Sequence, residues 1–157
     1  MSTTAKLRRI QNEIAALQHK SYEYDKMFKI NMVDDNTHHW NVVLYGPQDS
    51  LYEGYEFQLD VSLSDGYPFE APRVKFITPI QHVNINQQGD ICLDILKGSW
   101  SPSQNITSVL ISIISLLSQP NTSDPLNHDL GKLYKEDPKK YIEQIKTFCQ
   151  KKCKKIS

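Results

Sequence analysis

Residues 81–102 read QHVNINQQGDICLDILKGSWSP. A single cysteine, Cys92, stands there between a His-x-Asn at 82–84 and a Trp-Ser-Pro at 100–102. Free cysteine is among the most buried residue types, and Ile91 and Leu93 suit a small apolar pocket, so an inert thiol is the ordinary reading. The neighbours favour a reactive one. Gly89-Asp90 is a turn dipeptide, and turns lie at the surface, where a thiolate can be reached. His82 and Asn84 supply polar groups able to hold a reacting carbonyl or to orient a loop. Despite its apolar content, Thr78 to Trp100 carries Pro79, Gly89 and Gly98 and little periodicity, which makes it a long loop, and long ordered loops are usually functional.

The flanks of this loop have regular periods. Leu7, Ile10, Ile14 and Leu17 recur every three or four residues, predicting a helix over Thr4–His19 with that stripe packed inward and Lys6, Arg8, Arg9 and Glu13 mostly solvated. Phe28, Ile30 and Met32 alternate with Lys29 and Asn31. After a turn at Asp34-Asp35-Asn36, a second strand runs from Trp40 to Tyr45 and stops at Gly46-Pro47. Tyr55, Phe57, Leu59, Val61 and Leu63 form the clearest strand, and Arg73–Ile77 follows. The pattern predicts a four-stranded antiparallel meander with one buried face. Between its last two strands, Tyr67-Pro68-Phe69-Glu70-Ala71-Pro72 cannot be regular strand, because neither proline has an amide hydrogen to donate. A phenylalanine in such a loop most often anchors local packing.

A helix over Asn105–Ser118 buries Val109, Leu110, Ile113, Leu116 and Leu117 and leaves Ser108, Ile111, Ser112 and Ser115 on its other sides; Pro120 stops it. A short helix near Asp129–Tyr134 and a last one from Pro138 end the chain. Asp137 is a ready N-cap there, and Tyr141, Ile142, Ile145, Phe148 and Cys149 form the apolar stripe. The fold class is therefore α+β: N-terminal helix, meander, long loop, crossover helix and two C-terminal helices, expected as one domain over residues 1–157.

Composition excludes several functions. Eighteen basic residues balance eighteen acidic ones, so no global field draws the chain to nucleic acid. The terminal cluster Lys151-Lys152 and Lys154-Lys155 reads as a solvated helix face. No apolar run approaches the roughly 20 residues of a membrane span, and no charged-then-apolar leader precedes the first helix, so the expectation is a cytoplasmic or nuclear protein without a membrane partner. The three cysteines, Cys92, Cys149 and Cys153, make no disulfide framework. Cys149 and Cys153 share a helix face, but no CxxC or nearby histidine completes a zinc site, and no metal is expected.

The run His82, Asn84, Gly89, Ile91, Cys92, Leu93, Asp94, Ile95, Leu96, Trp100, Ser101, Pro102 resembles the active-site segment of ubiquitin-conjugating enzymes. So does Tyr67-Pro68-Phe69 with Pro72, Val74 and Phe76, and the likeness extends from Leu7-Arg8-Arg9-Ile10 to Asp124-Pro125-Leu126-Asn127. The resemblance implies a thioester of ubiquitin on Cys92, received from the activating enzyme and passed to a substrate lysine, usually with a RING-type or HECT-type ubiquitin ligase. It implies a monomer that binds no cofactor, ATP being used upstream by the activating enzyme. Asn84 would donate to the oxyanion or support the loop. Asp124 would orient the incoming lysine, although an aspartate before proline is also an ordinary turn residue. His82 would be structural. Arg8, Arg9, Phe69, Ser101, Pro102 and Ser103 would meet the activating enzyme and ligase, and Ser108, Ile111 and Ser115 the donor ubiquitin. The resemblance also suggests a cis Tyr67–Pro68 bond and, on the open sheet face with Lys29 and Asn31, a second ubiquitin surface. Two positions depart from the family pattern: Val83 replaces the usual proline of His-Pro-Asn, and Gln81 replaces a common tyrosine.

The chemistry fits. A cysteine thioester is an activated acyl group, and it survives only if water is not activated beside it. No strong general base is obvious near Cys92; Asp94 lies only two positions away in sequence, and its charge would raise a thiol's pKa. Alternative readings are a non-catalytic binding module of the same fold, a conjugating enzyme for another ubiquitin-like modifier, and a cysteine hydrolase using Cys92, His82 and Asn84. The presence of Cys92 with Asn84 and Asp124 opposes the first, whereas the absence of a Cys-Gly-x-Cys-Trp context and the placing of His82 in the same loop oppose the last.

Overall fold

The structure, a computed structural model, describes residues 1–19 and 21–157. Helix α1 (Thr3–His19) and a short α2 (Ser21–Tyr24) precede strands β1 (Phe28–Val33), β2 (Asn36–Tyr45), β3 (Tyr55–Ser62) and β4 (Arg73–Phe76). A 3-10 turn (Asp94–Leu96) lies within the long loop. Helices α3 (Ile106–Ser118), α4 (His128–Glu136) and α5 (Pro138–Lys152) follow, and β5 (Lys154–Lys155) closes the series.

The strands pair antiparallel in the order β1-β2-β3-β4. Asp34 and Asp35 both take positive φ, 53° and 57°, the conformation a tight two-residue hairpin turn demands. The register aligns the apolar residues of neighbouring strands: Phe28, Leu44 and Phe57 lie in one row, and Ile30, Val42, Leu59 and Phe76 in the next. Trp40, Val42, Leu44, Phe57, Leu59 and Val61 are fully buried. Period two therefore selects the covered face, as the sequence indicates. Onto it pack Ile10, Ile14 and Leu17 of α1 and Ile106, Val109, Leu110, Ile113, Leu116 and Leu117 of α3, all within one hydrophobic cluster.

Several expectations need correction. The meander carries a fifth strand: β5 pairs with the start of β3, Lys155 opposite Tyr55 and Lys154 opposite Glu56. The reason is local. Cys153 caps α5 in an extended conformation, which sends the two lysines along a free strand edge instead of continuing a helix face, and Lys154 also lies 3.8 Å from the Glu56 carboxylate. Leu7 and Ile142 sit at the margins of their stripes and are exposed at 38% and 40%. Glu13, expected to be solvated, is drawn against the core by partners distant in sequence. One expectation holds: the Tyr67–Pro68 bond is cis, as the resemblance implies. The long loop contains one 3-10 turn that its sequence did not announce.

Candidate active site

The loop bearing Cys92 is fastened at both ends. Upstream, Gly89 has a φ of 89°, and a Cβ built on it would come 2.0 Å from the Phe76 carbonyl oxygen. Only glycine allows this approach, which lets the Phe76 amide donate to the Gly89 carbonyl at 2.9 Å and ties the loop to β4. Asn86 shapes the same turn: its side-chain oxygen accepts from the Gln88 and Asp90 amides. Downstream, the 3-10 turn closes with the Lys97 amide donating to the Asp94 carbonyl.

Beneath Cys92, His82 and Asn84 are completely buried. The Nδ1 atom of His82 accepts from the Asn84 amide at 2.9 Å, so Nε2 carries the hydrogen and donates to the Leu116 carbonyl at 2.7 Å. Burial opposes the charged imidazolium and lowers the pKa to about 4. Both ring nitrogens are thus engaged away from the thiol, which removes the histidine that a Cys-His hydrolase requires.

The Asn84 amide is also spent. Its nitrogen donates to the Asn121 carbonyl at 2.8 Å and the Asp124 carbonyl at 3.2 Å, and its oxygen accepts from the Asn121 amide at 2.8 Å. The Asn84 carbonyl accepts from the Cys92 amide at 2.8 Å. One residue therefore holds the cysteine strand on one side and the 121–124 segment on the other. In this arrangement Asn84 supports the loop; donating to an oxyanion would require it to give up one of these bonds. Val83, fully buried, accepts at its carbonyl from both the Leu126 and Asn127 amides, continuing the same attachment. Behind it, Gly131 of α4 is needed for close packing: a Cβ there would lie 2.8 Å from Pro125.

Cys92 itself is half-buried. Its thiol donates to the Asp124 carboxylate at 3.4 Å, and the Lys97 ammonium approaches the sulfur at 3.7 Å. Burial raises the thiol's pKa, the Asp124 hydrogen bond raises it further, and Lys97 pulls the other way. The ionisable groups that meet Cys92 are thus Asp124 and Lys97, not Asp94. Asp124 is distant in the chain, and Lys97 is brought round by the 3-10 turn. Asp124 is exposed, open to an approaching partner.

A second cluster joins the surface residues. The Arg9 guanidinium donates to the carbonyls of Pro102 and Gln104 and, through Nε, to Glu13 at 3.0 Å. It also lies 5.7 Å from the centre of the Tyr67 ring. Glu13 accepts from the Tyr67 hydroxyl and from the Ile106 amide at the start of α3. Trp100 packs beside Tyr67 and donates its indole hydrogen to the Pro68 carbonyl at 2.8 Å. This network binds α1, the 67–70 turn, the 100–104 loop and α3 together. It leaves Phe69 standing out at 55% exposure rather than anchoring local packing; Arg8, Pro102 and Ser103 are exposed as well, and Ser101 is half-buried. Arg9 is more deeply engaged than a free basic edge would be. Neither Glu13 nor Lys97 was singled out as a site residue by the sequence; the Arg9-x-x-x-Glu13 helical pairing was the available signal for the first.

On α3, Ile111 and Ser115 are exposed. Ser108 is instead occupied in a capping box with Asn105, its hydroxyl receiving the Asn105 amide while its own amide meets the Asn105 side chain. On the open sheet face Lys29 and Asn31 are exposed, and His39 pairs with Asp60 across β2 and β3. Cys149 is buried, with its thiol pushed up first by its hydrogen bond with Cys153. Among the described residues no group of acidic, histidine or cysteine side chains is gathered as for a metal, and no helix is long and apolar enough to cross a membrane.

A helix, an antiparallel meander, a cysteine loop fastened to a crossover helix and two closing helices define the ubiquitin-conjugating fold, and a solved structure bears this out. The Toxoplasma gondii ubiquitin conjugating enzyme TgTwinScan_2721, E2 domain, superposes with a TM-score of 0.84 at 33% identity, covering 94% of this chain and 99% of that one. The family model described as ubiquitin-conjugating enzyme matches residues 9–149. A probable ubiquitin-conjugating enzyme E2, L460, of Acanthamoeba polyphaga mimivirus is 49% identical over 148 residues, 94% of either chain. The chain belongs to the ubiquitin-conjugating enzyme family, whose members are transferases that work with ubiquitin, an activating enzyme and ligases.

Proposed function

We propose that the protein carries ubiquitin as a thioester on Cys92, receiving it from the activating enzyme and passing it to a substrate lysine, usually with a RING-type or HECT-type ligase. The observation that carries this reading is the company Cys92 keeps. Its thiol is reachable and faces the exposed carboxylate of Asp124 at 3.4 Å, while the nearby imidazole has both nitrogens bonded elsewhere. A site without a strong base protects a thioester from water, yet Asp124 can orient an incoming ammonium and accept its proton as nitrogen attacks. Asn84 holds Asp124 and Cys92 in register. Its hydrogen bonds favour loop support over direct oxyanion donation.

The exposed Phe69 with Arg8, Ser101, Pro102 and Ser103 forms the ligase and activating-enzyme patch, with Arg9 tying its loops to α1. Ile111 and Ser115, with Ser108 at the helix start, face the donor ubiquitin. The domain works over residues 1–157 as a monomer without a bound cofactor, in the cytoplasm, the nucleus or both.

The test is charging. The protein is incubated with ATP and ubiquitin, or another ubiquitin-like modifier, each with its own activating enzyme, and gels are run with and without reductant. A reductant-sensitive adduct with ubiquitin, absent in Cys92→Ala, is expected. An adduct formed only with another modifier reassigns the substrate; no adduct with any, from folded protein, supports the non-catalytic binding module.

A further inference from the structure

We propose that the surface running from the Cys92 loop to the basic face of α5 is an acceptor groove, selecting substrate lysines flanked on one side by an apolar residue and beyond it by acids. This rests on the thioester reading above and names the substrate class of that site. Two clefts make up the groove. The first, about 250 Å³, lies between the 86–89 turn, Asn127 and Ile77, a side chain left 56% exposed. The second, about 490 Å³, is bordered by Lys140, Glu143, Thr147 and Lys151 of α5. Gln81 and Phe148 line both, so the two are continuous.

The near end adjoins the reacting groups. Ile85, on the first cleft, follows Asn84, whose carbonyl holds the Cys92 amide. Asn127 lies three residues beyond Asp124 and is tied by its own amide to the Val83 carbonyl. A chain that delivers its lysine between Cys92 and Asp124 thus has this groove open beside it. The walls are fastened. The Tyr52 hydroxyl donates to the Gln81 carbonyl at 2.5 Å, the Gln144 amide donates to the Gln81 side-chain oxygen at 3.2 Å, and the Cys153 thiol donates to the Pro79 carbonyl at 3.7 Å. Gln81, one of the two departures from the family pattern, therefore turns its amide to α5 and leaves Phe148 half-buried between the clefts.

Charge selects the occupant. Lys140 and Lys151 are exposed, and among the described residues neither forms an ion pair. From Asp137 to Ser157 the chain carries seven lysines and two acids, although the whole is neutral. Glu143 is the one acid lining the second cleft. Unpaired lysines attract an anionic partner, and an acidic acceptor segment is the one that also brings a lysine to Cys92. Lys140 and Lys151 stand about 16 Å apart at the helical rise, which roughly five extended residues span. Ile77 and Phe148 would cover the apolar residue next to the lysine, and the two α5 lysines would meet acids further along.

The charged protein is discharged in single turnover onto peptides that each hold one lysine and an adjacent leucine. Their flank carries two glutamates about five residues apart, two glutamines or two arginines, placed on either side of the lysine. The glutamate peptide should react about fivefold faster than the glutamine peptide below saturation, through KM rather than kcat. Lys140→Glu with Lys151→Glu should charge normally and prefer the arginine peptide. Glu143→Gln should sharpen the acid preference. In the uncharged protein the glutamate peptide should shift the amide resonances of Gln81, Gln144, Phe148 and Lys151. Equal rates for the three flanks, an acid preference that survives the double charge reversal, or shifts confined to another face overturns the inference and leaves the thioester reading standing. Absence of the thioester itself overturns both.

Discussion

Cys92, His82 and Asn84 divide the labour of the loop so that a reachable sulfur sits above an imidazole made inert as a base. The neutral His82 imidazole bridges the Asn84 amide and the Leu116 carbonyl from a fully buried position, with its pKa lowered to about 4. Its ordinary value is near 6.5, so between those limits the unfolded chain binds a proton that the native state refuses, and stability falls as pH drops from about 6.5 toward 4. The contribution amounts to about 3 kcal/mol at the acid end, fully recovered above pH 6.5. Urea unfolding across this range, compared between the protein and His82→Gln, should show that slope in the former and its loss in the latter. Asn84→Ala should cost about 2 to 3 kcal/mol, because a buried amide and the Asn121 backbone lose their partners. It should also slow transfer to lysine more than charging, measured in single-turnover assays, since Asp124 would lose its tether. The grouping of Cys92 with its two buried neighbours was legible because all three lie in one loop. Lys97 was not, since an exposed lysine beside a glycine has no pattern that betrays contact with a sulfur.

Among the elements, α1 and α3 do more than cover the sheet. Glu13 satisfies the Ile106 amide, one of the donors that a helix start leaves without an intrahelical partner, and in the same carboxylate receives the Tyr67 hydroxyl and Arg9. The proximity of Tyr67 and Arg9 links the 67–70 turn and the 100–104 loop to this point. Glu13→Ala should cost about 2 to 4 kcal/mol in urea unfolding, because three donors lose a charged acceptor. Glu13→Gln should recover part of it. Hydrogen exchange should rise first at Ile106 and through residues 67–70 and 100–104. The strand period, the α3 stripe and the Asp137-Pro138 start of α5 could be read directly, since each rests on spacing within one segment. Glu13 and β5 could not. Their partners lie far along the chain, and a helix residue off the apolar stripe has the same sequence signature whether it meets water or the start of another helix.

Across the whole molecule the buried face of the sheet and the two helices above it form one hydrophobic cluster, while the candidate chemistry and the candidate partner patch lie on its rim. Phe69 makes the separation testable. At 55% exposure it contributes little to the core, so Phe69→Ala should change stability by less than about 0.5 kcal/mol. Charging of Cys92 should persist, whereas ligase-stimulated discharge should fall severalfold, read by single-turnover assays with and without a ligase. The overall architecture was accessible from the sequence because its motifs keep their order over nearly the entire chain. The role of Val83 in the fine geometry was not, since its buried side chain and doubly used carbonyl depend on how the 124–127 segment folds back.

The most direct measurement is the fate of the charged protein once ATP is removed. Protein carrying ubiquitin is divided between buffer alone and buffer with free lysine, and both the bond to Cys92 and the products are followed by intact mass. Slow loss in buffer and rapid, lysine-dependent transfer giving ubiquitinyl-lysine are expected of a thiol guarded from water and open to amines. Rapid release of free ubiquitin at the same rate in both samples would contradict this and restore a hydrolase reading of Cys92.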